Sequence, residues 1–180
     1  ISSMCGVKTN YTATSVTFFD YDNDGLLDLF IGHHGPSSDQ SLYFNQIKKK
    51  HQLSDNWNVF KQLHSEFIRR EKPYVSLDGR NGVKNQLYHN EGGGLFKDVS
   101  HDSGLNSSAW TLASAAVDIN NDGWMDLHIA NDFGRDELFI NQGDGTFIEK
   151  AKRFGVNDRG AGMNVSIVDI NNDGYWDSYI

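Results

Sequence analysis

The sequence predicts an all-β fold, a β-propeller built of four-stranded blades, and three observations carry that reading. An acidic nonapeptide recurs three times, a longer unit repeats at a spacing of 51 residues, and the stretches around the acidic loops are short apolar runs separated by glycine-rich turns.

The nonapeptides are Asp20-Tyr-Asp-Asn-Asp-Gly-Leu-Leu-Asp28, Asp118-Ile-Asn-Asn-Asp-Gly-Trp-Met-Asp126 and Asp169-Ile-Asn-Asn-Asp-Gly-Tyr-Trp-Asp177. Oxygen-bearing side chains at positions 1, 3, 5 and 9 around a glycine at position 6 suit a hard cation, because glycine permits the sharp turn that folds alternate side chains inward. Calcium is the expected ion: it takes about six to eight oxygens in flexible geometry, whereas zinc favours nitrogen and sulfur. The expected side-chain ligands are Asp20, Asp22, Asp24 and Asp28 in the first loop, Asp118, Asn120, Asp122 and Asp126 in the second, and Asp169, Asn171, Asp173 and Asp177 in the third. The position-7 carbonyls of Leu26, Trp124 and Tyr175 complete each cage. Ten of the 24 acidic residues lie in these loops, and three bound Ca²⁺ ions move the formal net charge from −8 to −2. Folding and calcium occupancy are therefore expected to be linked.

An EF-hand loop begins the same way but needs a bidentate Glu at position 12. Here that position is Ile31, Ile129 or Ile180, and strand-like alternation follows where a helix should stand. The dockerin reading fails at the same place.

The loops sit inside a longer period. Leu87-Tyr-His-Asn-Glu-Gly-Gly-Gly-Leu-Phe96 aligns with Leu138-Phe-Ile-Asn-Gln-Gly-Asp-Gly-Thr-Phe147 at an offset of 51 residues, and Asp118 aligns with Asp169 at the same offset. Each period reads as a strand into the loop (Leu112 to Val117), a strand out of it (Met125 to Ala130), and two more, Glu137 to Asn141 and Thr146 to Lys150, joined by a glycine-rich hairpin. Four strands in about 50 residues is the pattern of a propeller blade. The repeats span about residues 15–46, 85–135 and 136–180. Three to four blades are present, so the chain is expected to be part of a larger propeller or to have its open edges covered by partner subunits.

Phe19-Asp-Tyr-Asp-Asn-Asp-Gly25, Ala130-Asn-Asp-Phe-Gly134 and Asn141-Gln-Gly-Asp-Gly-Thr-Phe147 resemble the FG-GAP/VCBS repeats of calcium-binding propellers, closest to the UnbV-type subgroup and more distantly similar to integrin alpha-subunit propellers. The resemblance covers about residues 15–46 and 85–180. It implies Ca²⁺ on the loop Asp and Asn side chains and a seven-bladed domain used outside the cytoplasm for adhesion, ligand binding or scaffolding. The chain departs from the pattern ahead of its loops: Gly160 and Gly162 precede the third, but Ala109 and Thr111 precede the second, and Tyr11 and Ala13 the first.

Residues 47–84 are an insertion or a degenerate blade without a calcium loop. They carry nine Lys or Arg against four Asp or Glu, a local charge of +5 beside −13 for the rest. Trp57, Phe60, Leu63, His64, Phe67 and Ile68 fall at helical spacing between a cap at Ser54 or Asp55 and Pro73, which predicts an amphipathic helix. Its apolar face either packs on the parent domain or docks on a partner or an anionic membrane surface. It is too short to span a bilayer.

Composition narrows the alternatives. A mean hydropathy of −0.55 with 12% aromatics describes a β-rich domain without a transmembrane helix. The acidic balance argues against nucleic acid. Cys5 is the single cysteine, so no internal disulfide is available. His33 and His34 are adjacent, and in extended backbone they face opposite ways, so one cation cannot easily take both. Neither a nucleophile elbow nor a His-Glu-x-x-His pair occurs. With every strong acidic cluster assigned to calcium, the expected function is non-enzymatic: an extracytoplasmic, calcium-stabilised binding or scaffold module, an accessory subunit of a larger complex. The alternative is a carbohydrate-binding module, or a non-catalytic domain of a polysaccharide-active enzyme, using Trp110, Trp124 and Trp176.

Overall fold

A computed structural model describes residues 5–9, 11–35 and 82–180. The helix expected over residues 54–72, and nearly all of the 47–84 segment, lie outside the described residues. What is described is all-β, with a single one-turn helix.

The first sheet is β1 (Ala13–Phe19), β2 (Asp28–His33), β3 (Gln86–Asn90) and β4 (Phe96–Asp98), antiparallel in that order. The second is β5 (Trp110–Val117), β6 (Asp126–Arg135), β7 (Glu137–Asn141) and β8 (Phe147–Glu149), again sequential and antiparallel. A short helix, α1 (Ala151–Phe154), follows and ends where Gly155 adopts φ 76°. Strand β9 (Arg159–Ala161) then pairs with the far end of β6, and β10 (Ser166–Val168) pairs with β11 (Asp177–Tyr179).

The sheets are offset from the periods at 15–46, 85–135 and 136–180: residues 86–98 complete the sheet begun by 13–33, whereas 110–149 form the next. A sequence period carries spacing but no phase. Strand pairing sets the phase, and it puts Leu87 opposite Phe30 across β2 and β3.

Alternation explains the strands. Along β1, Phe19 is buried while Val16 and Phe18 are exposed; β2 is buried throughout. The principal core gathers Phe19, Phe30 and Leu87 of the first sheet and Tyr21 of its acidic loop with Leu127, Ile129, Phe139 and Phe147 of the second, and Leu105 from the connection between them. Ile31 and Ile129, the residues standing where an EF-hand needs Glu, are buried in β2 and β6.

Strands β1 and β5 lie side by side through small polar residues. Thr14 Oγ1 donates to the Thr111 carbonyl at 2.6 Å, and the Ser114 hydroxyl lies 2.7 Å from Ser15 Oγ and 2.6 Å from Thr17 Oγ1. Gly32 permits this approach: a Cβ there would lie 2.5 Å from Thr111 Cγ2. Both sheets also carry a register irregularity at the same place, between Ala13 and Ser15 and between Thr111 and Ala113.

Candidate metal centre

Each acidic loop joins two antiparallel strands in one register: Phe19 pairs with Asp28, Val117 with Asp126 and Val168 with Asp177. Two left-handed residues bend each hairpin. Asn23, Asn121 and Asn172 at position 4 have φ of 57, 57 and 63°, and Gly25, Gly123 and Gly174 at position 6 have φ of 87, 89 and 86°. Asn tolerates this region better than other residues bearing a Cβ, and glycine carries no steric penalty there.

The carboxylates organise the backbone around that bend. Asp118 Oδ1 accepts from the Asp122 amide at 3.0 Å and Oδ2 from the Gly123 amide at 2.8 Å. Asp20 accepts from the matching amides at 3.2 and 2.9 Å, and Asp169 at 3.0 and 2.8 Å. At position 5, Asp24, Asp122 and Asp173 each accept from the position-7 amide of Leu26, Trp124 or Tyr175 at 2.8 to 2.9 Å. At position 9, Asp28, Asp126 and Asp177 accept from the position-2 amide at 3.0 to 3.1 Å. The second oxygen of Asp28 and of Asp126 reaches the third strand, accepting from the Asn90 and Asn141 amides at 2.8 Å each. Position 9 therefore ties the loop to the sheet core.

Position 3 distinguishes the loops. Asn120 Nδ2 donates to Asp122 Oδ2 at 2.7 Å and Asn171 Nδ2 to Asp173 Oδ2 at 2.9 Å, bonds that a carboxylate cannot make. In the first loop Asp22 stands there, and Asp20, Asp22 and Asp24 bring carboxylate oxygens within 4.8 Å of one another. Asp22 also groups with Asp28 and with His89 of β3, and these two are the only such groups of three among the described residues.

Buried carboxylates set the electrostatics of the first two loops. Burial raises the Asp126 carboxyl to about 6, with the Asp122 and Asp118 charges adding to it and the Asn141 and Ile119 amides opposing. Burial likewise raises Asp28, and burial followed by the Asp22, Asp28 and Asp24 charges pushes Tyr21 up to about 12. A dication among these groups would reverse each shift, since it favours the charged form of every carboxylate near it. The donor set is oxygen throughout the second and third loops, which fits calcium.

Sequence reading left out the position-4 asparagines. Asn23 Nδ2 donates to the Gly123 carbonyl at 3.1 Å and Asn121 Nδ2 to the Gly174 carbonyl at 3.2 Å, so each loop is hydrogen-bonded to the next. Asn141 adds a second link, donating to the Tyr21 carbonyl at 2.7 Å. Their recurrence at one position in all three nonapeptides, two residues before the glycine, was the available signal.

Other candidates separate in space. His33 is fully buried against Gln86 Oε1 at 3.1 Å, whereas His34 reaches Asp132 Oδ2 at 3.2 Å and packs edge-on against Trp110. Trp110 opens β5 and Trp124 lies in the acidic loop beyond its other end, roughly 20 Å away at about 3.4 Å per strand residue.

Sequential antiparallel sheets with acidic hairpin loops at matching strand ends define a repeat protein whose repeated element is the loop-bearing sheet. The chain belongs to the family of FG-GAP-like repeats, whose model matches residues 74–129 and 118–180, more than half of its length. It is also 26% identical over 191 residues to cartilage acidic protein 1 of Homo sapiens and, at the same identity, to that of Mus musculus. Those alignments cover 90% of this chain but only 29% and 30% of the relatives, so the chain spans less than a third of their length.

Proposed function

We propose that the chain is a calcium-stabilised segment of a β-propeller, each four-stranded sheet being one blade of a domain that has seven when complete. It acts as a non-enzymatic binding or scaffold module outside the cytoplasm. The observation that carries this reading is the identity of the three loops in register, left-handed residues and carboxylate-to-amide bonds. Three loops that differ in sequence at positions 2, 3, 7 and 8 yet keep an oxygen-bearing side chain at positions 1, 3, 5 and 9 are suited to one repeated ligand.

The residues that would hold the ions are Asp20, Asp22, Asp24 and Asp28, then Asp118, Asn120, Asp122 and Asp126, then Asp169, Asn171, Asp173 and Asp177, with the carbonyls of Leu26, Trp124 and Tyr175. The ion supplies charge neutralisation and cross-linking, and the chemistry is structural. Sites of this kind in extracellular modules bind with Kd of about 10⁻⁴ to 10⁻³ M, matched to millimolar calcium. The extracytoplasmic setting also draws support from the relatives, whose name ties them to cartilage. The partner is the remainder of the propeller or another protein, engaged through surfaces such as the exposed Val16 and Phe18 of β1. No helix among the described residues is long and apolar enough to cross a membrane.

Thermal unfolding with Ca²⁺ titrated against chelator, with bound metal counted in parallel, tests this. A rise in Tm saturating at two to three equivalents is expected. A folded chain whose Tm ignores calcium would reduce the loops to turns.

A further inference from the structure

We propose that this chain associates head-to-tail with a second copy of itself, the outer face of β10 and β11 in one copy packing on the outer face of β1 and β2 in the next. The inference rests on the propeller reading above and names the partner of its two uncovered faces.

Three observations converge on it. The first is that each of these faces is the exposed counterpart of a buried one. The first sheet contributes Phe19 and Phe30, and its loop Tyr21, to the core shared with the second, and all three are buried. At the offset of 149 residues that separates Asp20 from Asp169 they correspond to Val168, Ile170 and Tyr179, which are 49, 79 and 79% exposed. The second sheet and its loop meet the same core through Ala116 and Met125. At the offset of 98 residues that separates Asp20 from Asp118 their counterparts are Phe18 and Leu27, each 57% exposed. The chain thus carries both halves of its own sheet-to-sheet joint a second time, with neither half covered.

The second concerns hydrogen bonding. Asn23 and Asn121 each donate to the glycine carbonyl of the following loop, Gly123 or Gly174. Asn172, the third of the series, has the same left-handed backbone with φ 63°, and its side chain donates to no group among the described residues. Gly25 of a second copy is the matching acceptor. Across the joint between the sheets, Asn141 donates both to the Met125 carbonyl beside its own loop and to the Tyr21 carbonyl of the preceding one. Its counterpart Asn90 donates to Leu27 in the first of these ways. The Ile170 carbonyl of the other copy stands where the second bond requires it.

The third is continuity. The link from the first loop to the second recurs from the second to the third, at 3.1 and 3.2 Å, so one repeated step relates successive sheets. A second copy placed by that step meets β10 and β11 through a joint the chain already makes. The contact is heterologous, since the two copies use different faces. Removal of the exposed apolar side chains from water drives it.

The test is sedimentation velocity of the 180-residue chain across a concentration series in millimolar calcium, applied to the parent, to Phe18→Lys, to Ile170→Lys and to an equimolar mixture of the two variants. The parent should form species of two or more copies. Each variant alone should associate at least about tenfold more weakly, because every joint it can make carries a lysine. The mixture should form a one-to-one dimer, since the Ile170 face of the first variant and the Phe18 face of the second are both intact. Cooperative thermal unfolding shows that the variants are folded; if one misfolds, Leu27→Lys or Tyr179→Lys takes its place. A monomeric parent, a mixture that stays monomeric, or a single variant that dimerises as the parent does overturns the proposal, the last by revealing a face that pairs with itself. Any of these with the calcium-dependent Tm rise intact leaves the calcium reading standing, and association without a calcium response has the converse meaning.

Discussion

Asn23 donates its side-chain amide to the carbonyl of Gly123, one hundred residues along the chain, at 3.1 Å, and Asn121 repeats the contact on Gly174 at 3.2 Å. The donor is the left-handed residue of one loop and the acceptor is the hinge glycine of the next. One residue type therefore shapes its own loop and fastens it to its neighbour, so order in one loop is transmitted to the following one.

Replacement of Asn121 should separate these two roles. Asn121→Gly keeps the left-handed backbone and loses the hydrogen bond, for a cost of about 0.5 to 1.5 kcal/mol. Asn121→Ala loses both and should cost about 1 kcal/mol more, because alanine disfavours positive φ. Urea unfolding measures the difference; equal stabilities for the two variants would mean that backbone conformation at position 4 is not the constraint.

Asp122→Ala and Asp173→Ala probe the metal. Each should lower Tm in calcium and have far less effect in chelator, since position 5 matters most when it has a cation to bind. Equal losses under the two conditions would count against a metal role, leaving the bonds from the Trp124 and Tyr175 amides and from the Asn120 and Asn171 side chains as the source of the effect.

Gly143 supports the second loop from the neighbouring hairpin. It has φ 73°, and a Cβ there would stand 2.9 Å from Cε2 and Nε1 of Trp124. Gly143→Ala should therefore destabilise by about 1 to 3 kcal/mol and move the Trp124 ring. Denaturant unfolding followed by tryptophan fluorescence reads both; an unshifted emission maximum with full stability would show that the ring yields freely.

Asp136 should impose a pH dependence. It is buried, and burial, then the neighbouring Asp158 carboxylate, push its carboxyl up to about 7, against the Asn131 amide. The folded state holds this proton more tightly than the unfolded chain, so the contribution to stability is complete below about pH 4 and is lost as pH rises through about 7. His128 acts oppositely: burial lowers it to about 4, so its contribution is lost as pH falls from about 6.5 toward 4. Asp136→Asn removes the first trend and exposes the second. Stability of that variant should rise more steeply between pH 4.5 and 6.5 than that of the parent chain; parallel pH profiles would show that Asp136 is not the titrating group.

The all-β class, the four-strand unit and the turn-forming loops were legible in the sequence because all are local. A glycine at position 6, carboxylates at alternate positions and apolar runs on either side constrain the chain within a dozen residues. The partnership of Phe30 with Leu87, the links from Asn23 to Gly123 and from Asn141 to Tyr21, and the meeting of His89 with Asp22 and Asp28 were not legible, since each joins residues between 57 and 120 positions apart. Periodicity names the residues a repeat contains but not which copy each strand completes. Only the tertiary structure decided that, by burying Phe30, Leu87, Leu127 and Phe139 in one core and thereby setting which loops and which side chains stand against one another.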